Sequence, residues 1–131
     1  MPLLNELKIK IESDFHRPLP DIYFQLLEFS DGILFESGVL IYSSNEVFER
    51  NQTFEVQKYA GDYLAIGDDS GGMSILIPFR GESVFVVDQG SMDPNDMSKI
   101  SDSLMNWFKA GCQFNCSRMN FKWDINSFKS A

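Results

Sequence analysis

The chain has 131 residues, of which 44% are hydrophobic and 14% aromatic, and this composition predicts a single folded domain over residues 1–131 with one sizeable core. Its formal net charge of −8 argues against nucleic acid as a ligand, because Lys and Arg side chains supply most of the affinity for phosphates. No apolar run approaches the roughly 18 residues of a membrane span, and the first residues lack a secretory pattern, so we expect a cytoplasmic protein without a membrane partner.

Apolar residues at helical spacing predict two amphipathic helices at the beginning of the chain. Pro18 ends the first helix, since a proline disfavours helical backbone at the residue before it. Pro20 suits the first position of the second helix, and Gly32 fits the left-handed conformation that follows a helix end. The two apolar stripes are Leu4, Leu7, Ile11 and Phe15, and then Leu19, Ile22, Tyr23, Leu26 and Leu27.

From residue 33 the pattern changes to short runs of β-forming residues. The runs ILFES and GVLIY, separated near Gly38, predict two strands or one bent strand. Ser43 and Glu46 have the spacing of a capping box, which predicts a short helix through Val47 and Phe48. The runs YLAIGDD, MSILIPF and SVFVVD are joined by connections too short for a crossover helix, so these three strands must be antiparallel.

The segment 93–108 predicts the last clear helix, with Asp93 as its cap and Pro94 at its first position. Its predicted buried face consists of Met97, Ile100, Leu104, Trp107 and Phe108. Residues 121–125, FKWDI, fit either an edge strand or a helical turn. The predicted fold class is α+β, with the N-terminal helices and a C-terminal helix packed on a mostly antiparallel sheet in a single domain.

The segment 67–72, GDDSGG, contains the GDSGG sequence of trypsin-like nucleophiles with one additional aspartate. A nucleophilic serine needs a general base, usually a histidine, and His16 is the only histidine of the chain. The trypsin fold also needs two β-barrels, which require far more chain. We therefore interpret the segment as a turn and Ser70 as catalytically idle.

Metal, cofactor and disulfide sites are not predicted. Cys112 and Cys116, the only cysteines, cannot complete a four-ligand zinc site with one distant histidine, and their spacing in a helix does not suit a disulfide. The acidic loops lack the fixed glutamate and glycine of a calcium loop. The glycines at 67, 71 and 72 lack the lysine and spacing of a nucleotide loop. We expect two free thiols, no metal and no cofactor.

The succession of these signals over residues 19–108 resembles the SUKH superfamily. The resemblance rests on Leu19-Pro20-x-x-Tyr23-x-x-Leu26-Leu27-x-x-Ser30-Asp31-Gly32, a strand ending in Ile41-Tyr42, a helix with Glu46 and Asn51, and Tyr63-Leu64-x-Ile66-Gly67-Asp68-Asp69-x-Gly71-Gly72. Bacterial members are commonly immunity proteins that neutralise toxins exchanged between cells, and fungal members include regulators of cell-wall synthesis. Within this pattern we expect a structural role for Leu19, Pro20, Tyr23, Gly32, Gly67, Gly71 and Gly72.

The resemblance implies a non-enzymatic immunity protein that binds a cognate toxin, with a regulatory or scaffold protein as the alternative. A toxin that acts as a nuclease has a basic cleft, which an acidic surface can occupy in place of phosphate. Asp93 equally fits a helix cap, and Asp68 and Asp69 equally fit turn residues. The oligomeric state stays open. The candidate partner-binding residues, on predicted strand ends and loops, are Asp68, Asp69, Asp88, Asp93 and Asp96.

Overall fold

The computed structural model describes residues 2–29 and 31–112 of the chain. The α-helices in these residues are Pro2–Phe15 (α1), Asp21–Phe29 (α2), Val47–Thr53 (α3), Val56–Tyr59 (α4) and Leu104–Lys109 (α5). The strands are Ile33–Leu34 (β1), Leu40–Ile41 (β2), Tyr63–Asp68 (β3), Met73–Pro78 (β4), Val84–Asp88 (β5) and Ser98–Ser101 (β6). None of these helices combines the length and the apolar character needed to cross a membrane.

The strands form one sheet in the order β1-β2-β3-β4-β5-β6, and each strand is antiparallel to its neighbours. Strands adjacent in the sheet are therefore also consecutive in the sequence, with α3 and α4 inserted between β2 and β3. This arrangement confirms the predicted α+β class and the antiparallel pairing of the three central strands. It also leaves β1 and β6 as the two edges of the sheet.

A hydrophobic core lies on each face of the sheet, since successive side chains of a strand point to opposite sides. In β4, Ile75 and Ile77 belong to a larger core that includes side chains of α1, α2 and α5. Leu76, between them, belongs to a smaller core that includes side chains of α4. Because a fully buried Leu or Ile contributes roughly 1.5–3 kcal/mol, these two layers are the main source of the stability of the fold.

The two N-terminal helices end as predicted. After α1, His16 adopts a positive φ of 59°, and the amide of Leu19 donates to the Glu12 carboxylate at 2.8 Å before α2 begins. After α2, Gly32 has a φ of +93°, and a Cβ atom at this position would lie 2.9 Å from the Cβ of Ser43. Gly32 is therefore required both by its conformation and by the close approach of the chain before α3.

The capping box predicted at Ser43 and Glu46 is only half formed. The Glu46 carboxylate accepts a hydrogen bond from the amide of Ser43 at 3.3 Å, but α3 begins only at Val47. A turn precedes it, in which the amides of Glu46 and Val47 both donate to the carbonyl of Ser43. Asp31, which lies before β1 in the chain, also stabilises this turn, because its carboxylate accepts hydrogen bonds from both the amide and the hydroxyl of Ser44.

The single helix predicted over residues 93–108 is wrong, because three elements occupy the segment. Asp93 is a cap, but only of one 3-10 turn, Pro94–Asp96. The next residues form β6, which pairs with the outer edge of β5, and α5 starts after Ser103, whose hydroxyl accepts from the Asn106 amide. The apolar spacing also fits a helix, but serine is a poor helix former, and the edge of β5 needs hydrogen-bond partners.

The described part of the chain ends at Cys112, which is a free cysteine and fully buried. Burial raises the pKa of its thiol to about 12, so the reactive thiolate does not form at neutral pH. Cys116 and the ambiguous segment 121–125 lie outside the described residues.

Candidate functional site at the acidic end of the sheet

Three loops lie side by side at one end of the sheet, because antiparallel pairing aligns the strand ends that they connect. Leu40, at the start of β2, is opposite Asp68, at the end of β3. Met73, at the start of β4, is opposite Asp88, at the end of β5. The loops are residues 35–39 between β1 and β2, residues 69–72 between β3 and β4, and residues 89–97 between β5 and β6.

Hydrogen bonds join these loops into one continuous surface. The hydroxyl of Ser70 donates to the carbonyl of Gly38 at 2.7 Å and so connects the second loop to the first. The amide of Gln89 donates to the carbonyl of Gly72 at 2.8 Å and connects the third loop to the second. The relative positions of the three loops are therefore set by direct contacts as well as by the sheet.

All five candidate partner-binding residues lie at this end, together with one glutamate that the sequence analysis did not select. Residues 35–39, 68–72 and 88–97 contain no Lys, Arg or His. We call this surface the acidic end. Its acidic residues are Glu36, Asp68, Asp69, Asp88, Asp93 and Asp96.

Asp68 and Asp69 form the turn between β3 and β4. One carboxylate oxygen of Asp68 accepts the amide hydrogen of Ser70 at 2.8 Å. One oxygen of Asp69 accepts from the amides of Gly71 at 2.7 Å and Met73 at 3.0 Å. The turn-forming role that the sequence left open is therefore observed, and both carboxylates retain lone pairs for a further donor.

Tyr42 connects the acidic end to the core. Its side chain is buried, and its hydroxyl donates to the second carboxylate oxygen of Asp68 at 2.9 Å. Burial, followed by this hydrogen bond, raises the pKa of Tyr42 above its ordinary value, so the phenol remains a donor. The guanidinium of Arg50 lies 5.9 Å from the centre of the Tyr42 ring. Asp68 is thus oriented by two donors, one of them in the core.

The third loop places its three aspartates in different environments. The carbonyl of Asp88 accepts from the amides of Ser91 and Met92, both at 2.9 Å, while its exposed carboxylate has no hydrogen bond to another described residue. Asp93 caps the 3-10 turn. The Asp96 carboxylate accepts from the hydroxyl of Ser91. The loop is ordered by its own hydrogen bonds, and Asp88 has the carboxylate most available to a partner.

The charges of the acidic end lie close enough to act together. One strand separates β3 from β5, so the backbones of Asp68 and Asp88 are roughly 10 Å apart. This separation is close to the Debye length of about 8 Å at physiological ionic strength. The negative charges of the acidic end therefore reinforce one another.

Glu36 is the acidic residue that the sequence analysis missed. It is the one acidic residue of the loop 35–39, and thirty-one residues lie between it and the next candidate, Asp68. Only the pairing of β2 with β3 brings its loop beside the second loop. The signal that was available is the short run ESG between two β-forming runs, which marks a hairpin loop at a strand end.

The surroundings of Ser70 are those of a turn residue. Ser70 has a positive φ of 66°, and its hydroxyl donates to a backbone carbonyl rather than to a general base. His16, at the end of α1, has its amide bonded to the carbonyl of Ser13. Within the described residues, no histidine or carboxylate accepts the Ser70 hydroxyl hydrogen, which is the contact that nucleophile activation needs.

Residues 5–110 match the family model of the SMI1 / KNR4 family (SUKH-1). The match includes the whole sheet and every helix except the first three residues of α1. The chain belongs to the SMI1 / KNR4 family. This membership confirms the predicted place in the SUKH superfamily, whose proteins are generally non-enzymatic. No curated protein matches the chain.

Within this SMI1 / KNR4 fold, residues of the superfamily pattern serve the architecture. Leu19 and Tyr23 are buried on either side of the start of α2, and Pro20 directly precedes that helix. A Cβ atom at Gly67 would lie 2.2 Å from the carbonyl oxygen of Leu40, so only glycine allows β2 to approach β3 beside its bulge. Family membership thus accounts for the fold of residues 5–110.

Proposed function

We propose that this SMI1 / KNR4 protein is a cytoplasmic immunity protein that binds a cognate toxin through the acidic end and blocks it without catalysis. The observation that supports this function most directly is the charge of three adjacent loops. Together with the strand ends beside them, these loops contain six carboxylates and no basic residue. A partner that covers this surface must supply cations. The proposed partner is therefore a toxin with a basic surface, such as a nuclease whose cleft binds phosphates.

The geometry favours rapid and specific association with such a cleft. Carboxylates can occupy positions that phosphates take in a nuclease substrate, and a charged surface steers the encounter. The turn of Asp68 and Asp69 is internally hydrogen bonded, so little conformational entropy is lost when it binds. Preorganised loops of this kind match the requirement of an inhibitor that acts one to one.

The carboxylates best suited to contact the toxin are those with the fewest hydrogen bonds to the rest of the fold. Glu36 and Asp88 are exposed and make no side-chain hydrogen bond to another described residue, and Asp96 accepts only from Ser91. Asp68, Asp69 and Asp93 have structural hydrogen bonds as well. A binding experiment should therefore change the first group and leave the second intact, because loss of a turn or cap would be confused with loss of a contact.

The test is a triple charge-neutralising variant with a matched control, assayed against the candidate toxin, which is the product of the gene beside that of this chain. The test variant changes Glu36→Gln, Asp88→Asn and Asp96→Asn. The control changes three exposed acids outside the acidic end whose side chains make no ion pair with a described residue, namely Glu6→Gln, Glu28→Gln and Glu82→Gln. Both variants lose three negative charges, so they differ only in where the charge was removed.

We expect the test variant to associate about tenfold more slowly at low salt, because steering depends on local charge, and the control to resemble the wild type. The association rate of the wild type should fall as the Debye length shrinks from roughly 30 Å to about 8 Å. When the chain and the toxin are mixed at known ratios, inhibition of the toxin should rise with the ratio and be complete at one equivalent, since each molecule of a blocking protein inhibits one toxin molecule. Equal rates for both variants would contradict the acidic interface, and protection by a small fraction of an equivalent would indicate an enzyme.

A further inference from the structure

Exposed large apolar side chains are concentrated at the edge strand β1. Phe29, at the end of α2, is 64% exposed, Leu34 is 65% exposed and Ile33 is 38% exposed. Because side chains of a strand alternate, Ile33 and Leu34 point to opposite faces of the sheet. We call these three residues the β1 edge. Both faces of the sheet therefore end in exposed apolar side chains at the same border, and such a concentration favours an interaction site.

Among the described residues, the outer side of β1 has no strand partner. The amide of Phe35 donates to the carbonyl of Val39 at 2.8 Å, and Ile33 is opposite Ile41. Since the residues of an antiparallel ladder alternate between facing the partner and facing away, the amide and the carbonyl of Leu34 point away from β2. The sequence of β1 has neither the Lys nor the Pro that commonly protects an edge.

The β1 edge is continuous with the acidic end. Leu34 is opposite Leu40, and Leu40 is opposite Asp68, so one row of paired residues leads from the edge to the acidic turn. Glu36 follows β1 after one residue. On the other face, the ring of Phe29 lies 6.4 Å from that of Phe108. A ligand at this border therefore meets apolar side chains on both faces and carboxylates at one end.

We propose that the β1 edge receives an extended segment of the partner protein, which pairs with Leu34 and adds a strand to the sheet. Such a segment alternates its side chains between the two faces. Apolar residues at alternate positions would contact Leu34 and Leu40 on one face, and the apolar stems of longer side chains between them would cover Phe29 and Ile33 on the other. A Lys or Arg at the end nearest the loops would meet Glu36. The identity of this partner as a basic toxin rests on the proposed function, whereas the mode of binding rests on the strand edge.

The test uses the full-length chain and a synthetic peptide of defined chemistry. The probe is a nine-residue peptide of alternating valine and lysine with blocked ends, and its control has the same composition with the valines in one block. Hydrogen exchange at the Leu34 amide and the dissociation constant are measured by NMR titration. We expect the alternating peptide to slow exchange at Leu34 and to bind more tightly than the block peptide, because only alternation places every valine on the face of Leu34 and Leu40.

Two matched substitutions distinguish binding at the β1 edge from nonspecific binding elsewhere on the protein. Leu34→Lys places a charge on the edge and should weaken binding of the alternating peptide at least roughly tenfold, since the contact buries a leucine side chain. Ile9→Lys makes the same kind of change on α1, where Ile9 is 70% exposed, and should leave binding unchanged. Circular dichroism checks that both variants are folded. Equal loss in both variants, or in neither, would overturn the proposal.

Two further outcomes would assign the β1 edge to another occupant and also overturn the proposal. Slow exchange at Leu34 in the free chain at every concentration would mean that the rest of the chain covers the edge. Exchange that slows only as the protein is concentrated would mean that a second copy pairs there. A toxin that binds while the peptide does not would leave the proposed function standing without strand addition, and the reverse result would retain strand addition and reject the toxin.

Discussion

The side chain of Asn51 in α3 acts as a strand partner for β3, and its removal should be among the most damaging single changes in this fold. Asn51 is 1% exposed. Its amide nitrogen donates to the carbonyl of Ala65 at 2.9 Å, and its carbonyl oxygen accepts from the amide of Ala65 at 2.9 Å. The Asn51 amide nitrogen also donates to the carbonyl of Val47 at 2.7 Å, and its carbonyl oxygen also accepts from the side-chain amide of Gln57 at 3.0 Å. All four of its hydrogen-bonding positions are used.

The magnitude follows from the groups that Asn51→Ala leaves unpaired. β2 pairs with β3 only at Gly67 and Asp68, so no strand replaces the lost amide at Ala65. A buried backbone group without a partner costs about 1–3 kcal/mol. Two such groups at Ala65 give roughly 2–5 kcal/mol after partial access of water. This is a large fraction of the roughly 5–15 kcal/mol that stabilises a typical domain.

The assay is urea unfolding of the wild type, Asn51→Ala and the control Asn45→Ala. Asn45 is exposed in the turn before α3, so its substitution should change the free energy of unfolding by less than about 0.5 kcal/mol. Hydrogen exchange at the Ala65 amide should accelerate in Asn51→Ala. A loss of stability that is the same in both variants would refute the reasoning, because it would show that β3 does not depend on this amide.

Two further substitutions test local features of the sheet and its turn. Gly67→Ala should lower the free energy of unfolding by about 1–3 kcal/mol or more, because its Cβ would lie 2.2 Å from the carbonyl oxygen of Leu40. Gly71→Ala is the control, since the atom nearest to its Cβ would be an Asp69 carboxylate oxygen at an ordinary 3.5 Å. Equal losses of stability in the two variants would argue against a close contact between β2 and β3. Ser70→Ala should lower stability by at most about 1.5 kcal/mol through the lost hydrogen bond and leave toxin protection intact, whereas covalent labelling of Ser70 by a serine-directed phosphonate would restore the hydrolase interpretation.

The central strands were predictable because their signals are local. β3, β4 and β5 are apolar runs between turn-forming residues, and their connections are too short for any other pairing. The segment from Met97 to Leu104 was not predictable in the same way. Its apolar spacing fits one helix as well as a strand followed by a helix. The deciding interaction is pairing with the open edge of β5, which a local pattern does not contain.

In the candidate site, too, local signals predicted some residues, whereas others depend on how the strands pair. Asp68, Asp69 and Asp88 were predictable as strand-end residues, because turn chemistry places aspartate there. Glu36 and the exposure of Leu34 depend on which strand lies at the edge of the sheet. That order is a property of the assembled sheet: the local run ESG marks a hairpin loop, but it does not indicate which strands and loops lie beside it. The network of Asn51 was likewise hidden, since an asparagine inside a helix gives no sign of its partner in β3.

The acidic end has charges that the fold itself does not require. Hydrogen bonds to Asp69 and Asp93 need only one acceptor oxygen, which asparagine also supplies. Glu36 and Asp88 have no side-chain hydrogen bond to another described residue. Like charges within about a Debye length repel one another and lower the stability of the free protein. Under the proposed function, a basic partner would remove this repulsion when it binds, so the charges that weaken the free state would strengthen the complex. The triple variant at Glu36, Asp88 and Asp96 therefore separates the two roles: it should be at least as stable as the wild type while it binds the toxin more weakly, and a loss of stability instead would show that these carboxylates serve the fold.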